Sequence, residues 1–146
     1  MLFYILCISF IIITINLLIQ GFGNVIWIRK IAVSKSENQA VTNGAIVRVL
    51  ILSMMFFTLI HAIHALVWAT CYYLIPETSG QFESFTEAVY FSMVTFTTLG
   101  YGEITLVSDW RLLSGLEAIN GIMLIGWSTA MMYSLIQNIY KKIKVV

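Results

Sequence analysis

One run of residues has types and spacing that could do chemistry: Thr97-Thr98-Leu99-Gly100-Tyr101-Gly102. Two glycines alternate with two large residues behind a pair of threonines. A cation leaving water gives up strong ion–dipole contacts, and a site that replaces them presents several oxygens converging on one axis. Backbone carbonyls do this only when successive peptide planes turn the same way. That requires alternating left- and right-handed dihedrals, which residues carrying a Cβ resist. Gly100 and Gly102 supply the left-handed positions without steric cost. The run therefore reads as a ladder of carbonyls for a dehydrated cation. The Thr98 hydroxyl adds an oxygen at its inner end, and Leu99 and Tyr101 point away from the axis. Tyr101 is expected to brace the ladder against Tyr90 or Phe91. Glu103, next in the chain, puts an acid at the outer mouth. One chain supplies one strand of such a site, so a pore lined on all sides needs about four copies around a closed axis.

Few other groups compete for attention. Glu117 lies well inside an apolar segment. It reads either as a buried carboxylate that orders the outer pore or senses protons, or as a partly wet residue hydrogen-bonded to the back of the preceding short helix, which is its main expected role. His61 and His64 share a helix face by their spacing. A metal site needs more ligands than these two, so interhelical hydrogen bonding is expected, with a Glu117–His64 pair as the sharper alternative. Asn120 is suited to bonding a neighbouring helix, and Gly121 beside it reads as a hinge or as a close-packing site. Cys7 and Cys71 fall in apolar runs and read as small hydrophobes, with a disulfide near the outer helix ends as the alternative. There is no nucleophile–base set or metal cluster, so enzymatic activity is not expected. No cofactor beyond a permeant ion and no nucleic-acid partner are expected either.

The elements that must position the run follow from composition. Of 146 residues, 60% are hydrophobic and 10% charged, with a mean hydropathy of +0.91. A soluble domain of this size could not hide so much apolar surface. Residues 1–28 form a first apolar segment, uncharged from Leu2 to Ile19 and long enough to span a bilayer. Residues 20–24, which include Gly21 and Gly23, are expected to loosen it, and Trp27 to sit at the interface. No Lys or Arg precedes Arg29, and there is no small-residue cleavage site, so the segment reads as part of the mature protein rather than a signal peptide. Residues 29–44 form a polar loop. Residues 45–75 form a second span, with Arg48 snorkelling at one end and Tyr72 and Tyr73 at the other, and Pro76 stopping it. Ser84-Phe85-Thr86-Glu87 has the form of a capping box. The helix that it opens, 85–97, is about 20 Å long at 1.5 Å per residue and too short to span. Such a helix followed by a glycine-rich stretch fits a re-entrant segment. Its C-terminal dipole would face the pore centre and favour a cation there. Residues 111–140 form a third span, and Lys141, Lys142 and Lys144 follow. The expected fold class is an all-α membrane protein with three transmembrane helices, a re-entrant helix and the ladder at 98–102.

Charge sidedness sets the orientation. Arg29, Lys30, Lys35 and Arg48 outweigh Glu37 around the first loop, and the C-terminal lysines add to them. Between residues 76 and 111, Glu77, Glu83, Glu87, Glu103 and Asp109 face Arg111 alone. The loop and the C-terminus are therefore expected in the cytoplasm, and the N-terminus and the ladder outside.

Residues 88–103, ending in Thr95-Phe96-Thr97-Thr98-Leu99-Gly100-Tyr101-Gly102-Glu103, resemble the pore loop of the potassium channel family in its bacterial two-helix-pore branch. Arg111 is similar to the basic residue that opens the family's inner helix. Gly121 matches its hinge glycine and Gly126 a second small position. The resemblance covers roughly residues 45–140, and makes 45–146 a pore domain with an additional N-terminal helix. It implies a homotetrameric potassium channel in a bacterial plasma (inner) membrane, surrounded by lipid. K+ would be held at Thr98, Leu99, Gly100 and Tyr101, with Gly102 completing the filter. Glu103 would lie at the mouth, and Ile122, Ile125 and Thr129 would line the cavity below. Leu99 stands where valine is usual, Glu103 replaces aspartate, and Leu106 stands where many members have proline. Val94 occupies a position where some members carry a glutamate that pairs with that aspartate. The first segment lacks the repeated Arg or Lys of a voltage sensor. Two alternatives remain: a weakly selective cation channel, against which Tyr101 argues, and a non-conducting assembly subunit that docks through its polar first loop.

Overall fold

The computed structural model describes residues 1–33 and 42–144, and among these all regular structure is helical. The middle of the expected polar loop, with Lys35 and Glu37, lies outside the described residues. The helices are α1 (Leu2–Val33), α2 (Asn43–Leu74), α3 (Pro76–Ser79), α4 (Phe85–Phe96) and α5 (Arg111–Lys144). α1, α2 and α5 are long and apolar enough to cross a membrane. The chain is an all-helical membrane protein.

α1 passes through residues 20–24 without a break, contrary to the expected loosening there. Its glycines do different work. Gly21 faces open space, whereas a Cβ on Gly23 would overlap the Ile60 side chain of α2. Gly23 thus lets two helices approach, and packing outweighs its helix-breaking tendency, which is only about 1 kcal/mol. Trp27 stacks on Phe56 at 4.5 Å and donates from its indole nitrogen to the Ser53 hydroxyl, 3.0 Å away.

In a bilayer each unpaired polar group is costly, so hydroxyls on spanning helices must find internal acceptors. Thr14, Ser53, Thr58, Thr70 and Thr129 each donate to the carbonyl four residues back, at 2.7–3.0 Å. α2 begins at Thr42, whose side chain accepts from the Ala45 amide, and ends at the extended Ile75 before Pro76. The Ser84 hydroxyl accepts from the Glu87 amide at 3.2 Å, as a capping box requires. Its second half is displaced by one residue, because the Glu87 carboxylate accepts from the amide of Glu83 rather than of Ser84.

α4 packs on α2 and α5, and α1 lies against α2 and α5 of its own chain. The core between them is aromatic. Tyr72 and Phe91 meet edge to face at 5.2 Å, and Phe82 closes on both. Trp68, Leu106, Leu113 and Leu124 complete the buried cluster. Tyr4 on α1 meets Trp110 edge to face at 6.1 Å, fixing the N-terminal end of α1 to the start of α5.

Candidate functional site

The glycine-rich run leaves the C-terminal end of α4, and its first amides fold back on that helix. Thr98 N–H donates to the Thr95 carbonyl at 2.9 Å, while Leu99 and Gly100 both donate to Val94, at 2.9 and 3.3 Å. Val94 contributes its carbonyl where a side-chain partner was absent. Beyond this anchor the backbone alternates. Thr98 (φ 60), Gly100 (φ 54) and Gly102 (φ 85) are left-handed, and Leu99 and Tyr101 between them are not. This is the alternation that a one-sided carbonyl ladder needs. The two glycines adopt it freely, but Thr98 is β-branched, for which a positive φ is a true outlier. Such strain costs about 1–3 kcal/mol and persists only where the surroundings impose it. Glycine positions alone reveal two of the three left-handed residues. The third follows only from continuing the alternation backward.

Leu99 and Tyr101 are 57% and 64% exposed within the chain. Within one chain most of the Tyr101 ring is thus left uncovered. The Tyr90 hydroxyl donates to the Glu103 carboxylate, tying the outer end of the run to α4. Behind the run lies a groove of about 580 Å³, whose lining includes Phe91, Thr95, Thr98, Leu106, Arg111 and Ser114. Arg111 Nε donates to the Leu106 carbonyl at 2.9 Å, and Gln81 Oε1 accepts from Val107 N at 2.9 Å, so the chain returning to α5 is pinned at both edges.

Glu117 is fully buried. It accepts from the Tyr72 hydroxyl at 2.6 Å and from Ser92 Oγ at 2.5 Å, and Ser92 Oγ also lies 2.7 Å from the Ala65 carbonyl. One carboxyl group of α5 thereby joins α2 to the back of α4; the expected bond to that helix is present, but Glu117 is fully buried and not partly wet. The Glu117–His64 pair does not form. The two ring nitrogens of His64 face Asn16 and Gln20 of α1, because α1 covers that side of α2. His61 packs beside His64 and the Phe96 ring. Among the described residues no cluster of His, Cys, Asp or Glu could hold a metal ion. Cys7 is exposed and Cys71 buried, both as free thiols.

Gly121 is buried where α5 crosses the end of α4, and a Cβ there would overlap the Phe96 carbonyl. α5 continues as a helix through it. The close-packing reading of Gly121 therefore has a contact, and Gly126 faces open space. Ile122, Ile125 and Thr129 lie on α5 and are all exposed within the chain. The residues that sequence reasoning missed are on α1: Asn16 and Gln20 are buried polar side chains that reach α2 and α5, and Asn24, also buried, accepts from Gln20. Their four-residue spacing was the signal.

No curated protein and no solved structure matches the chain. A family model described as ion channel matches residues 49–138, which take in most of α2, all of α4, the glycine-rich run and most of α5, and the chain belongs to the ion channel family.

Proposed function

We propose that the chain is the subunit of a homotetrameric, potassium-selective channel that conducts K+ passively. The observation that carries this reading is the alternating left-handed backbone at Thr98, Gly100 and Gly102. In it, carbonyls of Thr98, Leu99, Gly100 and Tyr101 take the place of the ion's water shell. Exposed Tyr101 and the groove behind the run are surfaces that a neighbouring copy would cover, which supports assembly around a closed axis. Glu103 forms the acidic outer mouth, Ile122, Ile125 and Thr129 line the cavity, and Gly121 is the point about which α5 moves. The charge bias supports a cytoplasmic C-terminus and an outward filter, in a bacterial inner membrane by the resemblance. The permeant ion is the sole ligand of this reading.

The test is ion flux from liposomes containing the purified protein, comparing K+, Rb+ and Na+. Flux of K+ and Rb+ with little Na+ is expected. Equal Na+ and K+ flux would leave a weakly selective cation pore, and no flux would leave an assembly subunit.

A further inference from the structure

A stripe of carboxamides runs down α1. Asn16, Gln20 and Asn24 recur every four residues, so they share one helix face. All three are buried. The stripe meets the inner helix α5 twice. Asn16 Nδ2 donates to Asn120 Oδ1 at 3.1 Å, immediately before Gly121, and Gln20 Nε2 donates to Ser128 Oγ at 3.0 Å, two turns further on. Donor types dictate the order of the chain of bonds. The Trp68 indole can only donate, and it donates to the same Asn120 oxygen at 3.1 Å. Asn120 therefore turns its oxygen toward α1, Asn16 must offer its NH2 there, and the Asn16 oxygen is left facing His64 Nδ1 at 3.1 Å. His64 Nε2 in turn lies 3.1 Å from the Gln20 side chain, but a neutral imidazole has one N–H, already directed at Asn16, so it does not also donate to Gln20. Asn16 and Gln20 thus tie α1 to α5 on both sides of Gly121, and Trp68 and His64 of α2 join at the Asn16–Asn120 end.

We propose that α1 is a built-in latch on the inner helix: the Asn16–Asn120 and Gln20–Ser128 hydrogen bonds hold α5 in place about Gly121 and oppose its movement when the pore opens. Within a low-dielectric interior with no water to replace them, these bonds must break or slide before α5 can pivot. Asn16 and Gln20 act as positioning residues, since neither touches the ion path. The inference rests on the channel reading above, with α5 moving at Gly121.

The test uses the full chain reconstituted in bilayers, with Asn16→Leu, Gln20→Leu and Ser128→Ala. Each removes one side of an α1–α5 bond and is expected to raise open probability roughly threefold or more, with single-channel conductance and ion selectivity unchanged. Ser53→Ala is the control, because it cuts the Trp27 bond between α1 and α2 and leaves α5 alone. Asn16→Leu in an Asn120→Leu background should add less than it does alone, because the two residues share one bond. A second readout needs no current: a spin label at Asn138→Cys, in a Cys7→Ser and Cys71→Ala background, reports distances between inner-helix ends by pulsed EPR. Longer distances with the latch variants and not with Ser53→Ala support the latch even if wild type passes no ion, a result that would sink only the channel reading. Where Asn16→Leu fails to assemble on size exclusion, Ser128→Ala carries the test. Unchanged open probability and distances in assembled variants, or an equal effect of Ser53→Ala, would overturn the proposal.

Discussion

Thr98 holds a left-handed backbone against its own branched side chain, whereas Gly100 and Gly102 hold theirs freely. Replacing Thr98 by glycine removes strain of about 1–3 kcal/mol but adds about 0.5–1 kcal/mol of unfolded-chain entropy and takes the hydroxyl from the inner end of the ladder. Thr98→Gly is thus expected to melt no lower than wild type while its K+-to-Na+ flux ratio falls. A parallel loss of stability and selectivity would mean that the threonine serves only packing. The α5 glycines separate space from conformation. Gly121→Ala drives a Cβ into the Phe96 carbonyl, a backbone atom that cannot step aside. It should cost about 1–3 kcal/mol and lower the thermal midpoint in detergent. Gly126→Ala meets nothing within 4 Å, and should raise the midpoint by improving helix propensity, worth about 0.5–1 kcal/mol. The same substitution five residues apart on one helix is expected to act with opposite sign.

Among elements, α4 is held from behind by one carboxyl group of α5. Ser92→Ala or Tyr72→Phe strips a donor from buried Glu117, and an unsatisfied buried acceptor costs about 1–3 kcal/mol. Glu117→Gln keeps both contacts, since its oxygen accepts from Tyr72 and its NH2 donates to Ser92. Chemical or thermal unfolding should therefore rank Glu117→Gln nearest wild type and Glu117→Ala well below. This tie was visible in outline, because an acid inside an apolar segment must find a partner, and the short capped helix was the nearest candidate. The spans, the re-entrant helix and the two left-handed glycines were legible for similar reasons: length, capping chemistry and the absence of a Cβ each act locally. What α1 does was not. Asn16, Gln20 and Asn24 are scattered among aliphatic residues, so average hydropathy hides them, and their meaning depends on which helix lies across from them. The interhelical hydrogen bonding expected of His64 is present, but the side chains that it faces are Asn16 and Gln20 of α1 and not the alternative, Glu117. The expected break at residues 20–24 treated Gly23 as a local breaker, when its role is set by Ile60 on another helix.

At the scale of the whole molecule, a single subunit leaves its most distinctive surfaces bare. Leu99 and Tyr101 project from the run, the groove behind it is open, and Ile122 and Ile125 on α5 face outward. On the proposed reading all of these are covered when copies close around the axis, and the filter exists only in the assembly. The ion then binds the assembled state and not the separated subunits, so mass action requires K+ to stabilise the tetramer by RT ln(1 + [K+]/Kd), about 2.7 kcal/mol at a hundred times Kd. Tetramer dissociation on heating, followed by native gel or light scattering in K+ and in Na+ of equal ionic strength, should occur at higher temperature in K+. Rb+ should substitute for K+, because selectivity and stabilisation are then one property of one site. Thr98→Gly, by loosening the inner end of the ladder, should shrink the K+–Na+ difference without abolishing assembly. Identical dissociation temperatures in the two ions would separate assembly from ion binding and remove the reason for placing the cation on this run of carbonyls.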